Sequence, residues 1–181
     1  FEVARATVEN LYKMGFRRPA FVVDERIDDM VDGRFYDGFF RAQFAMPPSS
    51  RIEPFTENLE SPTYFDNLKK YIDDVQPDVI IYMLGKTGDF LYNHVRRKNG
   101  KRYPIVQLER RNDCTIPKNV WSGMEQNNHI AGHLSVRRLA TLLNISSPHN
   151  QNSTTLIPPT WVASQYLKKE AEKIRNSTKD K

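Results

Sequence analysis

The stretch DGRFYDGFF at 32–40 places Arg34 at the start of a helical pattern, directly after an apolar segment and an acidic loop. A guanidinium is a planar fork of donors suited to bidentate contacts. At a loop–helix junction following a strand, it points toward the cleft at the strand ends, where open α/β folds bind ligands. Asp28, Asp29, Asp32 and Asp37 are its sequence neighbours, so surface pairing is the competing assignment. Asp24 and Asn58 lie in polar loops on the same expected edge, and loop polarity alone would also explain both. Tyr82 and Trp121 are candidates for stacking on a ligand face or, more commonly, for the core. No Gly-x-Ser-x-Gly elbow, phosphate-binding glycine loop or dinucleotide fingerprint occurs, which argues against an enzyme and against a cofactor. His94, His129, His133 and His149 lack a paired nucleophile. His129 and His133 lie four apart on an expected helix, but no third ligand is apparent, so no metal site is expected.

Those residues must be held by the rest of the chain. Its 181 residues suit one compact domain, with two small lobes as the alternative. With 39% hydrophobic and 27% charged residues it has a globular composition, and no apolar run approaches the roughly 20 residues that cross a bilayer. The opening FEVARATVENLYKMGF has no initiator Met, no apolar core of a signal peptide and no cleavage site, so the chain is expected to be cut from a longer one. A single cysteine, Cys114, excludes an internal disulfide and fits a reducing, cytoplasmic setting. The net charge of +5 is concentrated in RRP at 17–19, RRKNGKR at 96–102 and the terminal LKKEAEKIRNSTKDK. Such patches read as solvated helix ends and a tail rather than as a DNA surface.

Apolar spacing predicts a helix over 2–14, stopped by Gly15, and PAFVVD is a buried strand. A second helix is expected from near Asp29 toward Pro47, a strand at Ile52 to Phe55, and a third helix from Tyr64 to Val75. DVIIYML is a strand closing at Gly85, Lys86 to Lys98 a helix ended by Asn99-Gly100, and YPIVQLE a further strand. Beyond Glu109 come a polar loop, a short VWSGM segment, a long helix from about Asn127 to Leu143, a polar loop at 144–154, and two candidate strands in LIPPTWVASQ. Alternation of helix and strand with short connections favours an α/β fold: a parallel sheet with helices on both faces.

Several pieces, in this order, resemble the effector-binding domain of LacI/GalR-type bacterial transcription regulators: NLYKMGFRRPAFVVD, Arg34-Phe-Tyr-Asp-Gly38-Phe39, QPDVIIYML, YPIVQLE, VWSGMEQNNHIAGHLSVRRLATLL and LIPPTWVASQ. The resemblance implies a periplasmic-binding-protein-like type I fold, of which this chain supplies the C-terminal part. Residues 1–118 would be mainly the C-terminal lobe, and 119–165 a crossing segment, helix and strands belonging in part to the N-terminal lobe. Residues 166–181 would form a flexible basic tail, and the DNA-binding headpiece would lie outside the chain.

By the same resemblance Arg34 binds ligand hydroxyls or carboxylates, with Gly38 and Phe39 as packing. Glu109 stands where the family commonly has a ligand-binding aspartate; followed by Arg110 and Arg111, it either forms a salt bridge or suits an anionic ligand. Gln126 matches a ligand-facing amide, and Asn127 reads as an N-cap. Leu84-Gly85 replaces the family's Asn-Asp and removes two polar side chains. Dimerisation would involve the helix bearing Phe90, Leu91, His94 and Val95. The implied function is to sense a sugar or sugar acid and to control DNA binding allosterically through the absent headpiece. A periplasmic-type solute-binding protein for sugar uptake is the alternative, and a direct nucleic-acid-binding module a third class.

Overall fold

The computed structural model describes residues 1–111, 113–144 and 154–179. Helix α1 (Glu2–Met14) presents Ala4, Thr7, Val8 and Leu11 to the core. It ends at Gly15, whose φ of 111° is a left-handed conformation that glycine adopts without Cβ strain. The amides of Gly15 and Phe16 return to the carbonyls of Tyr12 and Leu11, satisfying the last turn. Strand β1 (Pro19–Asp24) follows and is buried along its whole length.

The helix expected from Asp29 to Pro47 is divided into α2 (Glu25–Asp29) and α3 (Arg34–Phe44). Two acids cause the break. Asp24 caps α2 by accepting from the Ile27 amide at 3.3 Å, and buried Asp28 accepts from the Phe35 and Tyr36 amides of α3 at 2.9 and 3.4 Å. Gly33 makes the turn between them with φ 71°.

Strand β2 (Phe55–Glu57) shares only Phe55 with the strand expected at 52–55, because Val22 of β1 pairs with Phe55 and the ladder runs on to Glu57. Helix α4 (Tyr64–Val75) buries Tyr64, Leu68 and Ile72, and its terminal Gln76 turns left-handed before Pro77. Strand β3 (Val79–Tyr82) leads into α5 (Gly85–His94), which stops short of Lys98 because Val95 adopts an extended conformation. Strand β4 (Ile105–Gln107) and strand β5 (Ser122–Glu125) complete a parallel run.

The sheet order is β2-β1-β3-β4-β5-β6, with β6 (Thr160–Val162) alone antiparallel, paired to β5. Alternate residues of the buried strands serve opposite faces. Phe21 and Val23 join Val8, Leu11, Phe39 and Leu167 on one side; Ala20 and Val22 join Tyr64, Leu68, Ile72 and Leu91 on the other. Gly38 lets α3 cross the start of α1, since a Cβ there would stand 2.1 Å from the Phe1 carbonyl oxygen. Phe39 is fully buried and stacks on Phe21 with centroids 4.8 Å apart.

Two segments depart from expectation near the C-terminus. LIPPTWVASQ yields one strand, β6, rather than two, because Ser164 begins a helix. In place of the flexible tail stands α7 (Gln165–Lys179), which docks beside α1 with Leu167 and Ala171 buried. Ser164 Oγ accepts from the Leu167 amide and receives the Ser122 hydroxyl at 2.8 Å, tying the helix start to β5. Arg97 donates to Glu170 at 2.8 Å, and Arg175 donates to the Lys13 carbonyl. Burial acts to raise the Glu170 carboxyl, but Lys173 and Arg97 outweigh it and hold the group below the ordinary carboxylate range.

Helix α6 (Asn128–Asn144) differs from the others: none of its described side chains is buried, and Ile130, Val136, Leu139, Leu142 and Leu143 are exposed. Parts of the polar loop at 144–154, including His149, lie outside the described residues.

Candidate functional site

Asp24, Asn58, Glu109 and Gln126 lie at or just beyond the carboxyl ends of β1, β2, β4 and β5, and Arg34 opens α3. Arg34 is held there by the Asp28 cap and is exposed. Its guanidinium makes no hydrogen bond or ion pair with the described residues, and Asp28, one of the expected partners, is occupied by helix amides. Surface pairing therefore does not account for Arg34.

Asp24, at the end of β1, is 2% exposed, and both its oxygens are used: Oδ1 accepts from Ile27 and Oδ2 from the Leu59 amide at 2.8 Å. It fixes the 58–60 loop to β1. Asn58 accepts from the Glu60 amide at 2.9 Å, an Asx turn that leaves its amide nitrogen available.

Glu109 and Gln126, seventeen residues apart, are brought into contact: the Gln126 amide donates to Glu109 Oε1, and Arg111 pairs with Glu109 Oε2. Arg110 does not compete for Glu109; it pairs with Glu125 at 2.5 Å and lies over the Trp121 ring at 4.2 Å. Trp121 is 7% exposed and donates its indole N–H to Gln107, so it is a core aromatic with one face covered by Arg110. Asn127 occupies the capping position of α6, yet its side chain reaches Pro158 and Thr160 instead of the helix amides. The expected N-cap role is thus replaced by a tie to β6. Of the expected dimer residues, Leu91 and Val95 are 3% and 1% exposed and belong to the core; Phe90 is half-buried and His94 exposed. The resemblance named the helix and not its faces, and Leu91 and Val95, four apart, lie on the stripe that meets the core.

No family model and no curated protein sequence matches the chain. Solved structures do. A PurR family transcriptional regulator from Vibrio parahaemolyticus superposes with TM-score 0.64 at 13% identity, over 91% of this chain and 60% of that one. A LacI family transcriptional regulator from Enterococcus faecium, with bound ribose, gives 0.60 at 16%, over 88% and 60%. The Lac repressor dimer bound to operator and the anti-inducer ONPF gives 0.61 at 16%, over 91% and 49%. The chain has the LacI-type effector-binding fold. It spans about half to three-fifths of the length of these regulators.

At the end of β3 the chain is closed by its own loop. A Cβ at Gly85 would stand 1.9 Å from the Asp113 carbonyl oxygen, so the loop after β4 lies directly against the start of α5. The loop is fastened there twice. Gln107, fully buried, donates to Asp113 Oδ1 at 2.9 Å and to the Met83 carbonyl at 3.3 Å, and Thr115 donates from both amide and hydroxyl to Asp89. The space that Leu84-Gly85 leaves without polar side chains is filled by the protein's own backbone. Cys114, on this loop, is free and half-buried, its thiol pushed up by burial.

A cleft of about 440 Å³ remains open at the end of β5, lined by Arg110, Lys118, Trp121, Glu125, Gln126 and the first residues of α6. Sequence reading named Gln126 but missed Lys118, Asp113 and the role of Gln107. A glutamine inside the otherwise apolar run YPIVQL was the one available signal. His129 lines the cleft and is exposed, as is His133; among the described residues no group of three metal-ligating side chains is assembled.

Proposed function

We propose that this chain is the C-terminal part of the sensing domain of a LacI-type transcriptional regulator, binding a small polar metabolite, a sugar or a sugar acid, between two lobes. The observation that carries the reading is α6: a 17-residue helix with no buried side chain among those described, whose Val136, Leu139, Leu142 and Leu143 share one exposed face. An apolar face of that size on a soluble domain marks an unfilled packing surface. It suits the second lobe of a two-lobe sensor. Arg34, Glu109 and Gln126 then face the space between lobes, with Asn58 beside them and Asp24 holding the loop that carries it.

Effector binding would favour one arrangement of the lobes and thereby set the spacing of DNA-binding headpieces in a homodimer, with no enzymatic step. No described helix is long and apolar enough to cross a membrane. The free thiol of Cys114 fits action in the cytoplasm.

Arg34→Ala is expected to abolish the thermal shift produced by any effector found in a screen of sugars and sugar acids on the full-length protein. An unchanged shift would remove Arg34 from the site. For the dimer, the half-buried Phe90, whose ring lies tilted against Phe65 and beside exposed His94, is the residue on this helix open to a partner. Phe90→Asp should raise the dimer dissociation constant at least about tenfold by light scattering; identical dissociation curves would place the interface elsewhere.

A further inference from the structure

We infer that the pole of the domain at the amino ends of the strands binds the phosphate backbone of a nucleic acid, through a surface separate from the effector site and independent of the sensing role proposed above. The three basic stretches that read in the sequence as separate solvated patches meet there. Helix α7 runs along the amino ends of the strands: the Tyr166 amide donates to the Asn119 carbonyl ahead of β5, the Tyr166 hydroxyl to the Arg102 carbonyl ahead of β4, and Arg175 to the Lys13 carbonyl ahead of β1. The turn before β3 joins them, since the Arg17 amide donates to the Asp78 carboxylate and Arg97 to the Asp78 carbonyl. Residues 13–18, 96–102 and 168–175, with the acidic turn 73–78, therefore form one surface. Twelve cations stand there against five acids, an excess larger than the net charge of +5 of the whole chain, so the rest of the molecule is slightly acidic.

Four of the arginines have structural work. Arg17, Arg18 and Arg96 donate to carbonyls in the last turns of α1, α4 and α5, where helix ends carry partial negative charge, and Arg97 pairs with Glu170. Helix capping does not account for the lysines. The ammonium groups of Lys98, Lys101, Lys168 and Lys169 are exposed and form no hydrogen bond or ion pair among the described residues. Gathering like charges on one surface costs stability that a bound polyanion offsets. The chemistry of the pole also selects the polyanion. A protein partner needs apolar or aromatic anchors, but Leu167 and Ala171 of α7 are buried, and the rings of Tyr12, Tyr92 and Tyr103 already carry arginines. The same burial leaves α7 no apolar face to enter a membrane. What it presents is ammonium point charges, which suit backbone phosphates and carry no fork for reading bases.

The test uses the full-length protein and two random-sequence duplexes, one immobilised and one free and fluorescent. Retention of protein on the first and capture of the second are both followed as salt is raised, so a surface additional to any DNA-binding headpiece is read as capture. Lys168→Gln with Lys169→Gln, and separately Lys98→Gln with Lys101→Gln, should each cut capture at least about tenfold and lower the salt slope by about 2, with an unchanged thermal midpoint. Lys69→Gln with Lys70→Gln, which removes the same charge from the exposed side of α4, should leave the slope as in the wild type. DNA binding indifferent to both pole pairs in either arm, or an equal loss in the α4 pair, would overturn the inference. Preferential binding of poly-glutamate over DNA would also overturn it, in favour of an acidic protein partner. None of these outcomes bears on the effector screen, which tests the sensing role separately.

Discussion

Gly123→Ala is expected to destabilise the protein by about 3 kcal/mol, lowering its thermal midpoint by roughly 6–12 °C. Gly123 is paired with Gln107 across β4 and β5. An added Cβ would lie 2.2 Å from the Gln107 carbonyl oxygen, and the Arg110 side chain stands at 2.9 Å. A flexible side chain could move, but the carbonyl belongs to a buried strand and cannot shift without parting β4 from β5. The same displacement would separate Glu109, just beyond β4, from Gln126, just beyond β5. Loss of stability should therefore be accompanied by loss of ligand binding even at temperatures where the variant remains folded. A variant with the wild-type melting temperature would show that the β4–β5 pairing tolerates the methyl group, contrary to the geometry.

Gln107→Leu should cost about 2–4 kcal/mol, from a substitution that keeps side-chain volume nearly constant. The cost is in the partners left behind: the Trp121 indole N–H loses its acceptor at 2.8 Å, and the Met83 carbonyl and the Asp113 carboxylate lose their donor. Trp121 and Gln107 are buried, so water does not readily replace these bonds. The loop carrying Asp113 would then be held chiefly by Thr115 and Asp89. A lower urea midpoint together with a red shift in tryptophan emission is the expected pair of results; an unchanged midpoint would show that the three bonds contribute nothing net.

Strands β1 and β3 were legible because burial on both faces writes an uninterrupted apolar run, and α1 and α4 because one face is apolar at helical spacing. What escaped depended on contacts between residues distant in the chain or on side chains doing backbone work. The division of α2 from α3 rests on Asp28 reaching forward to Phe35, a bond that no periodicity records. Helix α7 was hidden by its charge: Leu167, Ala171 and Ile174 anchor it, while lysines and arginines make the segment resemble a solvated tail. For α5, the family resemblance implied a dimer helix but not which of its sides faces the sheet, so Leu91 and Val95, buried in the core, were named with Phe90 and His94. Among the candidate site residues, Arg34 and Glu109 were named from the family resemblance at their positions. The closing of the β3 edge by Asp113 left no mark in the sequence beyond a glycine at 85.

Strands β5 and β6 are antiparallel neighbours, with Glu125 directly opposite Thr160, and Asn127 ties the departing chain to Pro158 and Thr160. The excursion that carries α6 consequently leaves and rejoins the sheet at one point. A segment fastened side by side at both ends is a cassette: its length can change at a closure cost that grows only logarithmically. The sheet can thus keep its core unaltered while evolution exchanges what the cassette carries.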